Sequence, residues 1–254
     1  MPHPPSPLRA VPLAIALLLS ACAGAGPGAE FAERDPYEDV NRNIHDFNIA
    51  LDRNVLRPVS QGYGTVTPTL IQHLLGNAFD QIDTLNDFLN YTLQGELEPA
   101  GTALGRLTVN TVLGAGGLLD PATEFGLPKE NTDFGVTLGK WGAEEGAYLV
   151  LPFFGPSTTR DLGGRLGNAA MSPFTYVGFF DSNVLNFFNP ALSGSEVVHD
   201  RHVNASTIDE VLYESPDSYV ALRAIYLQRR DRLIGGKETE VDRLPDIFDD
   251  EPAQ

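Results

Sequence analysis

The sequence predicts a mainly α protein, a compact bundle of amphipathic helices with Gly/Pro-rich connections and little or no strand. Three observations carry this. Apolar residues recur at three- and four-residue spacing in separate stretches, and each stretch is bounded by capping residues, Gly or Pro. With 25 Gly and 19 Pro among 254 residues, the elements are short and the turns many. A hydrophobic fraction of 42% is enough to bury a core over one or two domains.

The chain opens with a leader. Arg9 is the only Asp, Glu, Lys or Arg before position 30, and the apolar run Val11 to Leu19 follows it. That run suits the core of a signal peptide and is too short to span a bilayer of about 30 Å. Leu19-Ser20-Ala21-Cys22 then resembles a bacterial lipobox, in which cleavage before the cysteine frees it to receive a diacylglycerol. The chain's single Cys falls at that position. Residues 1–21 are therefore expected to be a lipoprotein signal peptide, Cys22 the lipidation site and 22–34 a lipidated, Ala/Gly-rich linker. Ala23 is not the aspartate of inner-membrane retention, so outer-membrane sorting is expected.

Asp35-Pro36 opens the first helix, with Ile44, Phe47, Leu51 and Val55 inward and Arg57-Pro58 as its end. From Gln61 to Phe79 there is no Asp, Glu, Lys or Arg, but glycines, threonines and Pro68 interrupt the run. A long helix follows, with Leu75, Phe79, Ile82, Leu85, Leu89 and Leu93 on an apolar stripe. Asp80, Asp83, Asp87 and Asn90 lie on a neighbouring, solvated one, and Gly95 stops the helix. A third helix, from about 99 to 112, places Ala100, Leu104, Leu107 and Thr111 together. It ends in a loop where Gly114, Gly116 and Gly117 let the backbone turn or hinge.

Residues 134–192 are short apolar runs punctuated by Gly and Pro. Phe153, Phe154, Phe174, Phe179, Phe180, Phe187 and Phe188 can serve either as core or as an exposed collar seated in a membrane. Ser215-Pro216-Asp217 opens a last helix with Ser215 as cap and Tyr219, Leu222, Tyr226 and Leu233 inward; Gly235-Gly236 closes it. Its arginines, Arg229 and Arg230 among them, form a solvated face that could dock a partner. The domain is expected to span 35–236, and 237–254 to be a disordered acidic tail.

With 17 Lys and Arg against 34 Asp and Glu, nucleic acid and charge-driven docking on anionic lipid are excluded as partners. Enzyme signals are poor. There is no G-x-S-x-G elbow, no H-E-x-x-H and no Walker lysine after a glycine loop. One Cys holds neither a disulfide nor a zinc or iron–sulfur centre, and no cofactor is expected.

The remaining motifs point one way. Asp35-Pro36-Tyr37-Glu38-Asp39-Val40-Asn41-Arg42, Leu56-Arg57-Pro58, Asn90-Tyr91-Thr92-Leu93-Gln94-Gly95 and the run from Arg106 to Gly117 resemble the MlaA (VacJ) lipoproteins. Asp133 to Gly139, Gly146 to Ser157, Arg160-Asp161 and Tyr226 to Arg230 continue the likeness; Tyr37 departs from the Trp of many relatives. The resemblance implies a non-enzymatic, ring-like helical protein of the Gram-negative outer membrane. Such proteins pass stray outer-leaflet phospholipid through a pore to a periplasmic carrier of the MlaC type, beside a trimeric porin. Asp80, Asp83 and Asp87 are then candidates for the pore wall, the 114–117 loop for its gate, and Arg229 and Arg230 for carrier docking. A structural lipoprotein bracing porins and a phospholipase using Ser157 are the competing expectations.

Overall fold

The computed structural model describes residues 35–171 and 185–235, with backbone alone for 185–193. Cys22, the flanking signal and linker, the acidic tail, and Phe174, Phe179 and Phe180 lie outside the described residues, as do the side chains of Phe187 and Phe188.

Helix α1 (Glu38–Leu51) carries Glu38 and Asp39 in its first turn, where acids suit the positive end of the helix dipole. It does not end at Arg57-Pro58. A π-helical turn (Asp52–Leu56), closed by the Arg57 N–H on the Asp52 carbonyl, carries it into α2 (Arg57–Val66). The hydrogen-bond register slips by one residue there, so Pro58 sits at the start of a new helical segment, where its missing N–H is tolerated.

Helix α3 (Thr69–Gln94) runs 26 residues, about 39 Å. Gly95 caps it in the left-handed region at φ +76°, and the Glu96 N–H returns to the Tyr91 carbonyl at 3.0 Å. This tight turn lays α4 (Leu97–Val112) back along α3. After the glycine loop, Asp120 caps the short α5 (Pro121–Glu124) and Asp133 caps α6 (Phe134–Lys140). Strands β1 (Tyr148–Leu151) and β2 (Gly155–Thr158) form an antiparallel hairpin that pairs Tyr148 with Thr158 and Leu151 with Gly155.

Helices α7 (Thr159–Met171), α8 (Leu185–Val203), α9 (Ala205–Asp209), a second π-helical turn (Glu210–Glu214) and α10 (Ser218–Ile234) complete the described chain. The cap of α10 is Asp217, whose carboxylate accepts the Val220 N–H at 3.1 Å; the expected Ser215 closes the preceding π turn instead. The fold is mainly α, as expected.

Burial runs against the sequence reading. The apolar core is small: Tyr148, Val150, Tyr219 and Leu227, with Ile44 and Tyr226 packed on it. Elsewhere among the described residues Phe79, Tyr91, Val136 and three alanines are buried among a larger number of polar side chains. On α1, Asn41 and His45 are buried while Phe47 is exposed, and Val55 of the π turn is exposed too. On α3, Phe79 is the one member of the expected stripe that is fully buried; Thr84, Asp87, Asn90 and Tyr91 replace the rest. On α4, Ala103, Arg106 and Asn110 join Ala100 inside, and Leu104 and Thr111 are exposed. Buried polar groups are costly unless bonded, and each of these residues makes at least one hydrogen bond, though Arg106 Nε is buried without a partner. Asn41 donates to Asp35 at 2.8 Å and to the Tyr148 carbonyl at 3.1 Å, and accepts the Val150 N–H at 2.9 Å. Arg201 grips Asp52 through two nitrogens at 2.8 and 3.0 Å, and Tyr213 donates to the same carboxylate at 2.6 Å.

Candidate functional site

One face of α3 is a row of polar groups spaced by helical turns. Asp80 pairs with Lys129, and the Asp87 carboxylate accepts the Thr132 N–H at 2.8 Å. Asn90 accepts from the Thr137 hydroxyl at 2.9 Å, and Gln94 donates to Thr132 at 2.9 Å and Thr137 at 2.8 Å. The segment from Lys129 to Thr137 is thereby stitched along the helix. Asp87 is not on a solvated stripe: it is only 3% exposed. This correction has a simple cause, because Thr132 supplies from another part of the chain the hydrogen bond that water would otherwise give.

Charge accumulates on this face. Burial pushes Asp87 up to about 7, partly offset by the Thr132 hydrogen bond. Desolvation also raises Asp83, and Asp80 and Asp200 add to it against the pull of Lys129. From α8, Glu196 is raised by burial first and by neighbouring acids second, and Asp200 is raised by burial, with the pull of His199 set against the push of Asp80. Burial holds the neighbouring His199 below its ordinary value, so its ring adds no positive charge at neutral pH. The α3 and α8 faces thus gather five acids, of which Asp87 is buried and Asp83 and Asp200 are exposed.

The glycine loop closes against the same helix. Gly116 (φ +79°) and Gly117 (φ +97°) need the left-handed region, and a Cβ on Gly117 would come within 2.5 Å of Gln81 Cγ. Gly114 has no room either: a Cβ would lie 2.4 Å from the Leu119 carbonyl. The loop is clamped rather than slack. The Gly117 N–H returns to the Asn110 carbonyl at 2.9 Å, and Asn77 of α3 donates to the Leu118 carbonyl at 3.0 Å. At its far end Arg106 binds both oxygens of Asp120 at 2.9 Å.

At the hairpin tip, Phe153 and Phe154 are 70% and 69% exposed. Asn48 holds the tip by donating to the Leu151 carbonyl at 3.0 Å and accepting the Phe153 N–H at 2.9 Å. On α10, Arg229 is exposed but Arg230 is buried between Asp133 and Asp161, with Nη2 2.6 Å from Asp161. Arg230 is therefore a structural ion-pair partner and not part of an exposed docking face. Ser157 is fully buried, its hydroxyl 3.4 Å from the Thr158 carbonyl. The described residues contain no cluster suited to a metal and no helix long and apolar enough to cross a membrane.

A family model described as MlaA lipoprotein matches residues 33–233. The chain belongs to the MlaA lipoprotein family. The Escherichia coli K12 protein named "Intermembrane phospholipid transport system lipoprotein MlaA" is 31% identical over 235 residues, 90% of this chain and 89% of that protein. Its Haemophilus influenzae namesake is 32% identical over 244 residues, 91% of this chain and 92% of that one. An uncharacterized Rickettsia felis protein is 34% identical over 198 residues, 78% and 76% of the two chains. A solved structure, from work on the structural basis for maintenance of bacterial outer membrane lipid asymmetry, superposes with a TM-score of 0.68 at 29% identity. It covers 79% of this chain and 98% of that one. The span matched by the MlaA model takes in the α3 acids, the glycine loop and the hairpin tip, and leaves out Cys22 and the acidic tail.

The sequence missed Asn90, Thr137, Arg106, Arg201 and Arg230 as interior residues. The stripe pattern of α3 did carry a signal, since its polar row is continuous, but nothing local says that another segment covers it.

Proposed function

We propose that this protein is a lipid-anchored outer-membrane component that removes mislocalised phospholipid from the outer leaflet and passes it to a periplasmic carrier, maintaining lipid asymmetry. The observation that carries the reading is the burial pattern: among the described residues more polar than apolar side chains are buried, while Leu70, Ile71, Leu97, Val112, Phe125 and Trp141 stand exposed. A body surrounded by lipid puts apolar groups outward and must satisfy polar groups within itself. Phospholipid transport is what its Escherichia coli and Haemophilus influenzae relatives are named for.

In this reading Cys22 carries the acyl anchor. Phe153 and Phe154, with Phe174, Phe179, Phe180, Phe187 and Phe188, form the membrane collar. Asp80, Asp83 and Asp87 line the polar path taken by the head group, and Gly114, Gly116 and Gly117 shape its gate. A trimeric porin and a carrier of the MlaC type are the partners, with Arg229 the exposed arginine of the pair expected to dock the carrier. Ser157, sealed from lipid, does not favour a phospholipase.

Deleting the gene should make phospholipid accumulate in the outer leaflet, and restoring it should reverse this. Unchanged leaflet composition would favour the porin-bracing alternative. Cys22→Ser should abolish palmitate labelling and membrane retention.

A further inference from the structure

A cavity of about 140 Å3 lies between α1, the hairpin tip and α10, away from the α3 acids. Among the described residues, Ile49, Phe153, Leu212 and Leu222 form its apolar wall, and His45 and Asn48 are its polar members. Both polar groups are already engaged. The Asn48 amide is used at both ends by the hairpin tip, and His45 Nε2 sits 2.9 Å from the Ser218 hydroxyl. Burial also holds the His45 pKa below its ordinary value, so the ring is neutral at pH 7. The cavity therefore offers no charge to a phosphate or an ammonium. The pocket is half open, and its volume is about that filled by an apolar guest the size of benzene.

Its mouth is built from the most exposed aromatic of the hairpin. Phe153 has φ +68°, a conformation costly for a residue with a side chain, and Asn48 bonds its N–H there. The ring meets Phe47 edge-on with centroids 5.6 Å apart, and Phe154 stands exposed beside it. An apolar guest could pass from the collar into the cavity without crossing water.

We propose that this cavity binds a stretch of fatty-acyl chain from a membrane phospholipid, a tail site separate from the acidic head-group path on α3. The proposal rests on the phospholipid-transport reading, and it commits to membrane lipid rather than to the acyl groups on Cys22.

The test uses the full-length lipidated protein in phosphatidylethanolamine and phosphatidylglycerol vesicles. These contain a trace of phosphatidylethanolamine with a diazirine near the end of one acyl chain. After illumination, mass spectrometry should find adducts on Ile49, Leu212 or Leu222. Leu222→Trp and, separately, Leu212→Trp fill the cavity and should remove those adducts while leaving labelling of Phe154 and the melting temperature unchanged. Adducts on Phe154 alone, or cavity adducts that persist in both Trp variants, would overturn the proposal. So would cavity labelling that appears only after Cys22→Ser, because the protein's own anchor would then be the occupant. Should both Trp variants fail to fold, Leu222→Ala decides: a larger cavity must raise the adduct yield, and an unchanged yield rejects the site. Failure of the transport reading looks different, as normal leaflet composition in the deletion strain with cavity labelling intact.

Discussion

Asp133 and Asp161 share Arg230, and Arg160 lies 3.4 Å from Asp161, whereas on α3 Asp80 alone pairs with Lys129, Asp83 and Asp87 feel only its charge, and Glu196 and Asp200 lie close by on α8. The difference in cation decides the state of the acids. Burial works against ionisation of Asp133, but hydrogen bonds and charge from Arg230 hold it below the usual carboxylate range. Asp87, more deeply buried than the half-buried Asp133, gets a single backbone N–H and rises to about 7. The first cluster is a staple that joins α6, α7 and α10; the second leaves acids on the α3 and α8 faces with little cationic charge among the described residues. Buried acids with a matched guanidinium serve the fold, and buried acids without one are available to function.

Arg230→Met should break this contrast most severely. It takes the guanidinium from half-buried Asp133 and from buried Asp161, which keeps Arg160 and Tyr226, so the loss should be about 3 kcal/mol in urea unfolding at pH 7, the low end for breaking a buried pair. A loss below about 1 kcal/mol would mean that the staple does not hold the three helices.

The pH dependence of stability should separate the two clusters next. Asp87 binds its proton more tightly folded than unfolded, so its contribution is fully present below about pH 4 and is lost as pH rises through about 7. Asp133 has the opposite sign: its stabilisation is present above about pH 4 and is lost as the solution is acidified. Asp87→Asn should flatten the decline between pH 4 and 7, worth a few kcal/mol, and leave the acid limb in place. Thermal melts across pH 3–8 check both limbs.

The glycine loop tests how rigid the α3 side is. Gly117→Ala adds a collision with Gln81 to a left-handed backbone and should cost about 2–3 kcal/mol, while Gly116→Ala, with open space around it, should cost about 1 kcal/mol. Equal melting temperatures for the two variants would show that α3 yields at this point. The smallest expected effect on stability is that of Phe154→Ala, within about 0.5 kcal/mol at such an exposed site. Its association with phospholipid vesicles should nevertheless weaken in flotation assays.

Most helices were legible because their boundaries are local chemistry. Gly95 and Gly235 end α3 and α10 where expected, since a left-handed cap needs only its own residue. Pro58 misled for the complementary reason. Whether a proline ends a helix depends on the hydrogen-bond register before it, and here a π turn absorbs the defect. The family was legible from motifs, and so was the candidate status of the α3 acids, the glycine loop and the hairpin phenylalanines. The partners were not: that Thr132 covers Asp87, that Arg230 joins Asp133 to Asp161, or that Asn48 holds a turn more than a hundred residues away.

Alone, the sequence determined the helical class, the residues that share each helix face, and the family, because periodicity, caps and motifs are short-range. It could not determine which face turns inward. A helix stripe turns toward the surroundings that solvate it best, and an apolar stripe is driven inside when water is outside. The tertiary structure placed many polar groups inside, by bringing distant N–H, hydroxyl and guanidinium donors to satisfy them, and left Leu70, Leu97, Leu104, Phe153 and Phe154 facing outward.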